Sequence, residues 1–100
     1  MVQANILVVD DEKFITLSLK QHLEKEGYEV FTAESGEDGL EVFRTEIPDI
    51  ILLDINLPGI SGLETLEAIR KIDKGVIVVI ITAHGDIETA VSTIKLGAYD

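Results

Sequence analysis

A chain of 100 residues, 46% hydrophobic and 27% charged, holds one globular domain, because a chain of this length buries roughly 60–70% of its unfolded surface. The formal net charge of −11, with 8 basic residues scattered among 19 acids, opposes the phosphate contacts that nucleic-acid binding requires. The absence of cysteine excludes disulfides and thiolate metal sites, so any metal must bind oxygen or histidine nitrogen.

No apolar run reaches the length of a membrane span, and Met1 to Asn5 show no basic or cleavable apolar leader pattern. A cytoplasmic location away from membranes is therefore expected. In Asn5 to Val9 the apolar residues Ile6 to Val9 run unbroken and end on Asp10-Asp11, the pattern of a strand buried on both faces of a parallel sheet. Ile15, Leu19 and Leu23 then recur at helical spacing, with Phe14 and Leu17 widening the stripe. That pattern predicts a helix from about Glu12 to Glu26, closed by Gly27 as a left-handed cap. Tyr28 to Ala33 alternates only partly and fits a strand nearer the sheet edge. Ser35, with Asp38 three residues on, resembles a capping box and opens a second helix through Leu40, Val42 and Phe43 to about Glu46, stopped by Pro48.

Ile50 to Leu53 is a second apolar run, and Asp54 stands at its exit before the turn Leu57-Pro58-Gly59. A third helix follows Ser61 and Gly62, with Leu63, Leu66 and Ile69 as its buried stripe and Gly75 at its end. Val76 to Ile81 is the most hydrophobic stretch and terminates on Thr82-Ala83. Gly85-Asp86 leads into a last helix, with Ile87, Ala90, Val91 and Ile94 on one face and Gly97 as its cap. Strand and helix thus alternate four times with short connections, which predicts an α/β fold with a doubly wound parallel sheet.

In such a sheet the strand ends at Asp10-Asp11, Asp54 and Thr82 converge on one rim if their strands are neighbours. Two carboxylates about 4 Å apart repel by roughly 4 kcal/mol at an effective dielectric near 20, so the cluster either holds protons or recruits a cation. With oxygen ligands only, Mg²⁺ is the natural candidate. A carboxylate beside it can attack phosphorus and form an aspartyl phosphate, to which the Thr82 hydroxyl donates a hydrogen bond while the small Ala83 leaves room. Each residue also has a plain reading. Asp11 alone is a helix cap, Asp54 alone a loop acid, Thr82 alone a strand-end residue. His22 and His84 have no second ligand at metal spacing and read as surface residues, and Tyr99 reads as packing.

Ile6-Leu7-Val8-Val9-Asp10-Asp11-Glu12, Asp54-Ile55-Asn56-Leu57-Pro58-Gly59 with Gly62, and Thr82-Ala83 together resemble the receiver domain of bacterial two-component response regulators. The segments 82–91 and 97–100 are most similar to receivers of the nitrogen-regulator class of transcription activators. The resemblance implies a flavodoxin-like sheet of order 2-1-3-4, with Asp54 as phosphoacceptor and residues 1–100 forming the receiver. It also implies a Mg²⁺ site of Asp10, Asp11, Asp54 and the Asn56 backbone carbonyl, with Thr82 and Ala83 at the switch.

The resemblance further implies a sensor histidine kinase as donor and a regulatory phosphoacceptor role rather than that of an enzyme. The family's fifth strand, the lysine at that strand's end and the fifth helix have no counterpart here, about 20 residues by average element lengths. Lys95, on the fourth helix, does not stand in for that lysine. The expectations that follow are a C-terminally truncated receiver, self-association through an exposed edge at Val76 to Ile81, and, as the competing reading, a receiver-like interaction module that no longer signals. A metal-dependent phosphohydrolase lacks an evident general acid, and a flavin phosphate is opposed by the charge of Asp10-Asp11-Glu12.

Overall fold

The computed structural model describes residues 4–55, 57 and 59–81. Its elements are β1 (Asn5–Val9), α1 (Lys13–Lys25), β2 (Glu29–Ala33), α2 (Gly36–Glu46), β3 (Ile50–Asp54), α3 (Gly62–Ile72) and β4 (Ile77–Ile81). The strands form one parallel sheet in the order β2-β1-β3-β4, the flavodoxin-like order expected from the sequence. Because the chain goes from β1 to β2 on one side and returns to β3 on the other, the order reverses between β1 and β3. A crevice therefore opens at their carboxyl ends.

The unbroken apolar runs are explained by helices on both faces. Ile6, Val8, Val30, Leu52 and Val79 pack with Leu19 of α1. Leu7, Val9, Ala33, Ile51 and Leu53 pack on the opposite face with Phe43 of α2 and Ile69 of α3. Alternate residues of the central strands β1 and β3 thus enter different cores, which is why both parities of Ile6 to Val9 and Ile50 to Leu53 are apolar.

Two buried stripes differ from expectation. Phe14 and Leu17 are 78% and 56% exposed, because at 100° per residue they lie about 140° and 160° around the helix from Leu19. The buried positions of α1 are Thr16 and Leu19, with Ile15 and Leu23 packed beside them. In α3, Leu63 is 55% exposed, about 120° from Ile69. Its place is taken by Thr65, fully buried, whose hydroxyl donates to Ser61 O at 2.8 Å.

The helix ends also redistribute. Glu12, not Asp11, is the N-cap of α1, and Gly27 (φ 96°) follows its end as expected. Ser35 Oγ accepts from Asp38 N–H at 3.1 Å, one half of a capping box. The complete box is at α3, where Ser61 Oγ accepts from Glu64 N–H and the Glu64 carboxylate accepts from Ser61 N–H. Ile47, left-handed at φ 50°, closes α2 just before Pro48. The end of α3 is Asp73 rather than Gly75, and its carboxylate accepts from Gly75 N–H at 2.8 Å. The expected last helix, with His84 and Gly97, lies outside the described residues.

Gly62 has the closest constraint on the site. A Cβ there would stand 2.5 Å from both Asp54 O and Ile55 Cα, while Gly62 N–H donates to Ile55 O at 3.1 Å. Gly62→Ala is therefore expected to cost about 1–3 kcal/mol, since α3 must back away from β3. Gly75→Ala, whose Cβ meets only Asp73 Oδ1 at 3.5 Å, should stay within about 0.5 kcal/mol of the parent. Urea unfolding of the two variants checks the contrast, and equal stabilities would refute the close-approach reading.

Candidate metal centre

β1 and β3 are paired with Val9 opposite Leu53, so the next residues, Asp10 and Asp54, leave the sheet side by side. Asp10 and Asp54 are buried and Asp11 is exposed, and one carboxylate oxygen from each lies within 4.8 Å of the others. Main-chain bonds fix the rim on both sides. Asp10 N–H donates to Ala33 O of β2 at 3.0 Å, and Ile55 N–H donates to Ile81 O of β4 at 3.1 Å.

Asp10 has a second task. Its Oδ1 accepts from Glu12 N–H at 2.9 Å, turning the chain out of β1 and into α1, so one side chain both shapes the turn and charges the crevice. Its carboxyl is raised to about 6, chiefly by burial; the Glu12 amide lowers it, and the charges of Asp54, Asp11 and Glu12 add to the rise. These are the properties of a site crowded with like charge and short of water.

The donor set fits a hard divalent cation. Two oxygens on one Mg²⁺ stand no more than about 4.2 Å apart, so carboxylates within 4.8 Å reach a common ion by a small side-chain rotation or through a bound water. Of the three, Asp10 is held in place by the Glu12 N–H bond to its Oδ1. The structure thus brings together Asp10, Asp11 and Asp54. Asn56, Thr82 and Ala83 lie outside the described residues. Sequence reasoning did not find the Glu12 amide as a partner of Asp10, although an Asp two residues before a helical pattern is a signal for it.

An acidic crevice at the switch point of a flavodoxin-like sheet defines the class: an α/β domain with a carboxylate cluster at the carboxyl edge of its sheet. The chain belongs to the response regulator receiver domain family, which it matches over residues 6–100. It is 38% identical over 98 residues to sporulation initiation phosphotransferase F of Bacillus subtilis, covering 98% of this chain and 79% of that protein. Similarity to the nitrogen assimilation regulatory protein NtrX of Azorhizobium caulinodans is 45% over 98 residues, covering 96% of this chain and 22% of that one.

Among solved structures, response regulator protein TrrA of Thermotoga maritima, in complex with Mg²⁺-BeF, superimposes with a TM-score of 0.77 at 44% identity, covering 94% of this chain and 80% of that chain. Two further transcriptional regulators, ycf27 of Guillardia theta and AfsQ1 of Streptomyces coelicolor, are spanned over 37% and 42% of their lengths. Several of these relatives are transcriptional regulators, of which the chain spans less than half the length.

The raised Asp10 carboxyl makes a pH-dependent prediction. A folded-state value near 6 against an ordinary 3.8 means that the fold favours protonated Asp10. Its contribution is whole below about 3.8 and is lost as pH rises through about 6. In metal-free buffer at pH 7.5, Asp10→Asn should therefore be more stable than the parent by about 1–2 kcal/mol, with the gap closing near pH 4. The amide oxygen still accepts from Glu12 N–H. Urea unfolding across pH is the measurement, and a gap independent of pH would refute the assignment.

Proposed function

We propose that this chain is a phosphorylation-dependent switch in which Asp54 accepts a phosphoryl group from the phosphohistidine of a sensor histidine kinase in the cytoplasm. The observation that carries this reading is the convergence of two buried carboxylates and one exposed carboxylate within 4.8 Å at the ends of adjacent parallel strands. Asp10 and Asp11, with an oxygen of Asp54 and the backbone carbonyl of Asn56, hold Mg²⁺. When bound, the cation neutralises charge on the transferring phosphoryl oxygens.

The remaining chemistry belongs to the chain. A carboxylate oxygen of Asp54 forms a bond to phosphorus as the phosphorus–nitrogen bond to the kinase histidine breaks, and the leaving imidazole takes up a proton from water. Asp54 is oriented for this by its place at the last residue of β3 and by the close backing of Gly62. Thr82 donates its hydroxyl to the transferred group, and Ala83 leaves that approach open. That the Thermotoga maritima relative forms a complex with Mg²⁺-BeF supports this reading.

Intact mass after incubation with Mg²⁺ and acetyl phosphate tests the reading. One phosphoryl adduct is expected, absent from Asp54→Asn and from a metal-free control. No adduct on a chain that still binds Mg²⁺ would leave a receiver-like interaction module instead. Self-association is a separate proposal: among the described residues β4 is an edge strand, with Ile77, Ile80 and Ile81 only half-buried. Sedimentation should show a concentration-dependent dimer, and a monomer at high concentration would overturn it.

A further inference from the structure

The opposite edge of the sheet carries polar groups that the acidic site does not use. Glu29 N–H donates to Ala4 O at 3.0 Å and Ala33 O accepts from Asp10 N–H at 3.0 Å. With the register running from Asn5↔Glu29 to Val9↔Ala33, the odd-numbered residues of β2 direct their main-chain groups to β1. Successive residues of a strand point these groups to opposite sides. The N–H and C=O of Val30 and Thr32 therefore face away from the sheet, and no described residue bonds them. Thr32 is exposed and Val30 only 4% exposed, so of the two outward pairs that of Thr32 is the more open to an incoming strand.

A groove of about 340 Å³ runs along this edge, lined by Val30, Phe31 and Thr32 of β2. Its α1 wall supplies Lys20 and its α2 wall supplies Val42, Glu41 and Glu46. Among the described residues no ion pair joins Lys20 to either glutamate. Val30 belongs to the core on the α1 face and Phe31 packs on the α2 face. The floor is thus a strand edge, one wall is cationic, and the other is anionic above an apolar base.

We propose that this groove takes an extended peptide strand, added to the free edge of β2 and carrying lysine or arginine on its α2-facing side. The outward groups of Val30 and Thr32 repeat every second residue, which is the repeat of an added strand's own donors and acceptors. A long basic side chain lays its alkyl stem over Phe31 and Val42 and brings its charge to Glu41 and Glu46. Residues of the opposite parity meet Lys20 and are small or acidic. A second copy of this chain fits less well, because its own edge strand, Glu29-Val30-Phe31-Thr32-Ala33, offers no basic residue to Glu41 and Glu46.

The probe is a capped heptapeptide alternating threonine and lysine, titrated into the ¹⁵N-labelled chain. The amides of Val30 and Thr32 should shift and their exchange should slow by about tenfold or more. N-methylation of the peptide at every second residue should abolish binding in one register and spare it in the other, since only one set of amides faces β2. The double variant Glu41→Lys, Glu46→Lys, both on the exposed side of α2, should keep its circular dichroism and lose about tenfold in affinity. The proposal is overturned by no shift at millimolar peptide, by binding that neither methylated register weakens, or by shifts centred on Asp10, Asp11 and Asp54. It is also overturned if the same amides shift with protein concentration alone, which would make the occupant a second copy.

Discussion

The constraint on which the rest depends is the crowding of carboxylates at the crevice between β1 and β3. Asp10 and Asp54 are both buried, and Asp11 brings a third oxygen within 4.8 Å. Like charges at such separations cost several kcal/mol in a medium less polar than water. A hydrophobic strand end would remove that cost, so the cluster is not explained by stability. It exists because the sheet order sets two acid-terminated strands side by side, and the carboxyl of Asp10 is raised first by its burial at that strand end and then by the neighbouring charges of Asp54, Asp11 and Glu12. A cation or a proton relieves the same repulsion, which is why proton release accompanies metal binding at sites of this kind.

Holding the crevice narrow requires the opposite of bulk. Gly62 lets the start of α3 touch the Asp54 carbonyl, and a Cβ at Gly39 would come within 2.9 Å of Val9 Cγ2, so α2 lies directly on β1. Between the two helices, Gly36 faces the Thr65 hydroxyl and Ile60, and Thr65 satisfies itself on Ser61 O. Small residues on one side of the sheet thus allow two helices to pack beside each other over the core of Leu7, Val9, Leu53 and Ile69. The other face carries the bulkier contact, with Leu19 of α1 lying on Val8 and Leu52.

Much of this architecture was legible because parallel strands buried on both faces cannot hide their apolar runs. Asn5 to Val9 and Ile50 to Leu53 announce central strands, and the acids after them announce the rim. The partly polar Tyr28 to Ala33 correctly pointed to an edge. Side-chain facing was less legible. Phe14, Leu17 and Leu63 are apolar yet exposed, and counting apolar residues without their angle placed them inside. Thr65 is polar yet fully buried, which follows only from its local hydroxyl bond. The capping box at Ser61 and Glu64 had a clear sequence signal in Ser-x-x-Glu and was passed over for Ser35, whose partner three residues on is the shorter Asp38. The convergence of Asp10, Asp11 and Asp54 follows from strand order. A role for the Asn56 carbonyl or the Thr82 hydroxyl depends on where a main-chain oxygen and a rotor point, and residue order alone does not fix that.

The position of Asp54 also bears on how a charge change there reaches the rest of the fold. Asp54 is the last residue of β3 and pairs in register with Ile81 of β4. The next amide, Ile55 N–H, donates to Ile81 O at 3.1 Å, so the main chain leaving Asp54 is tied to the residue immediately before Thr82. On the other side Ile55 O accepts from Gly62 N–H, which ties the same residue to the start of α3. A group added to the Asp54 carboxylate would therefore act beside one residue, Ile55, whose two flanking peptide groups are bonded to both neighbouring elements. Close-packed interiors respond to such a change by shifting between discrete arrangements rather than by deforming smoothly, and the two elements placed to shift are the end of β4 and the first turn of α3.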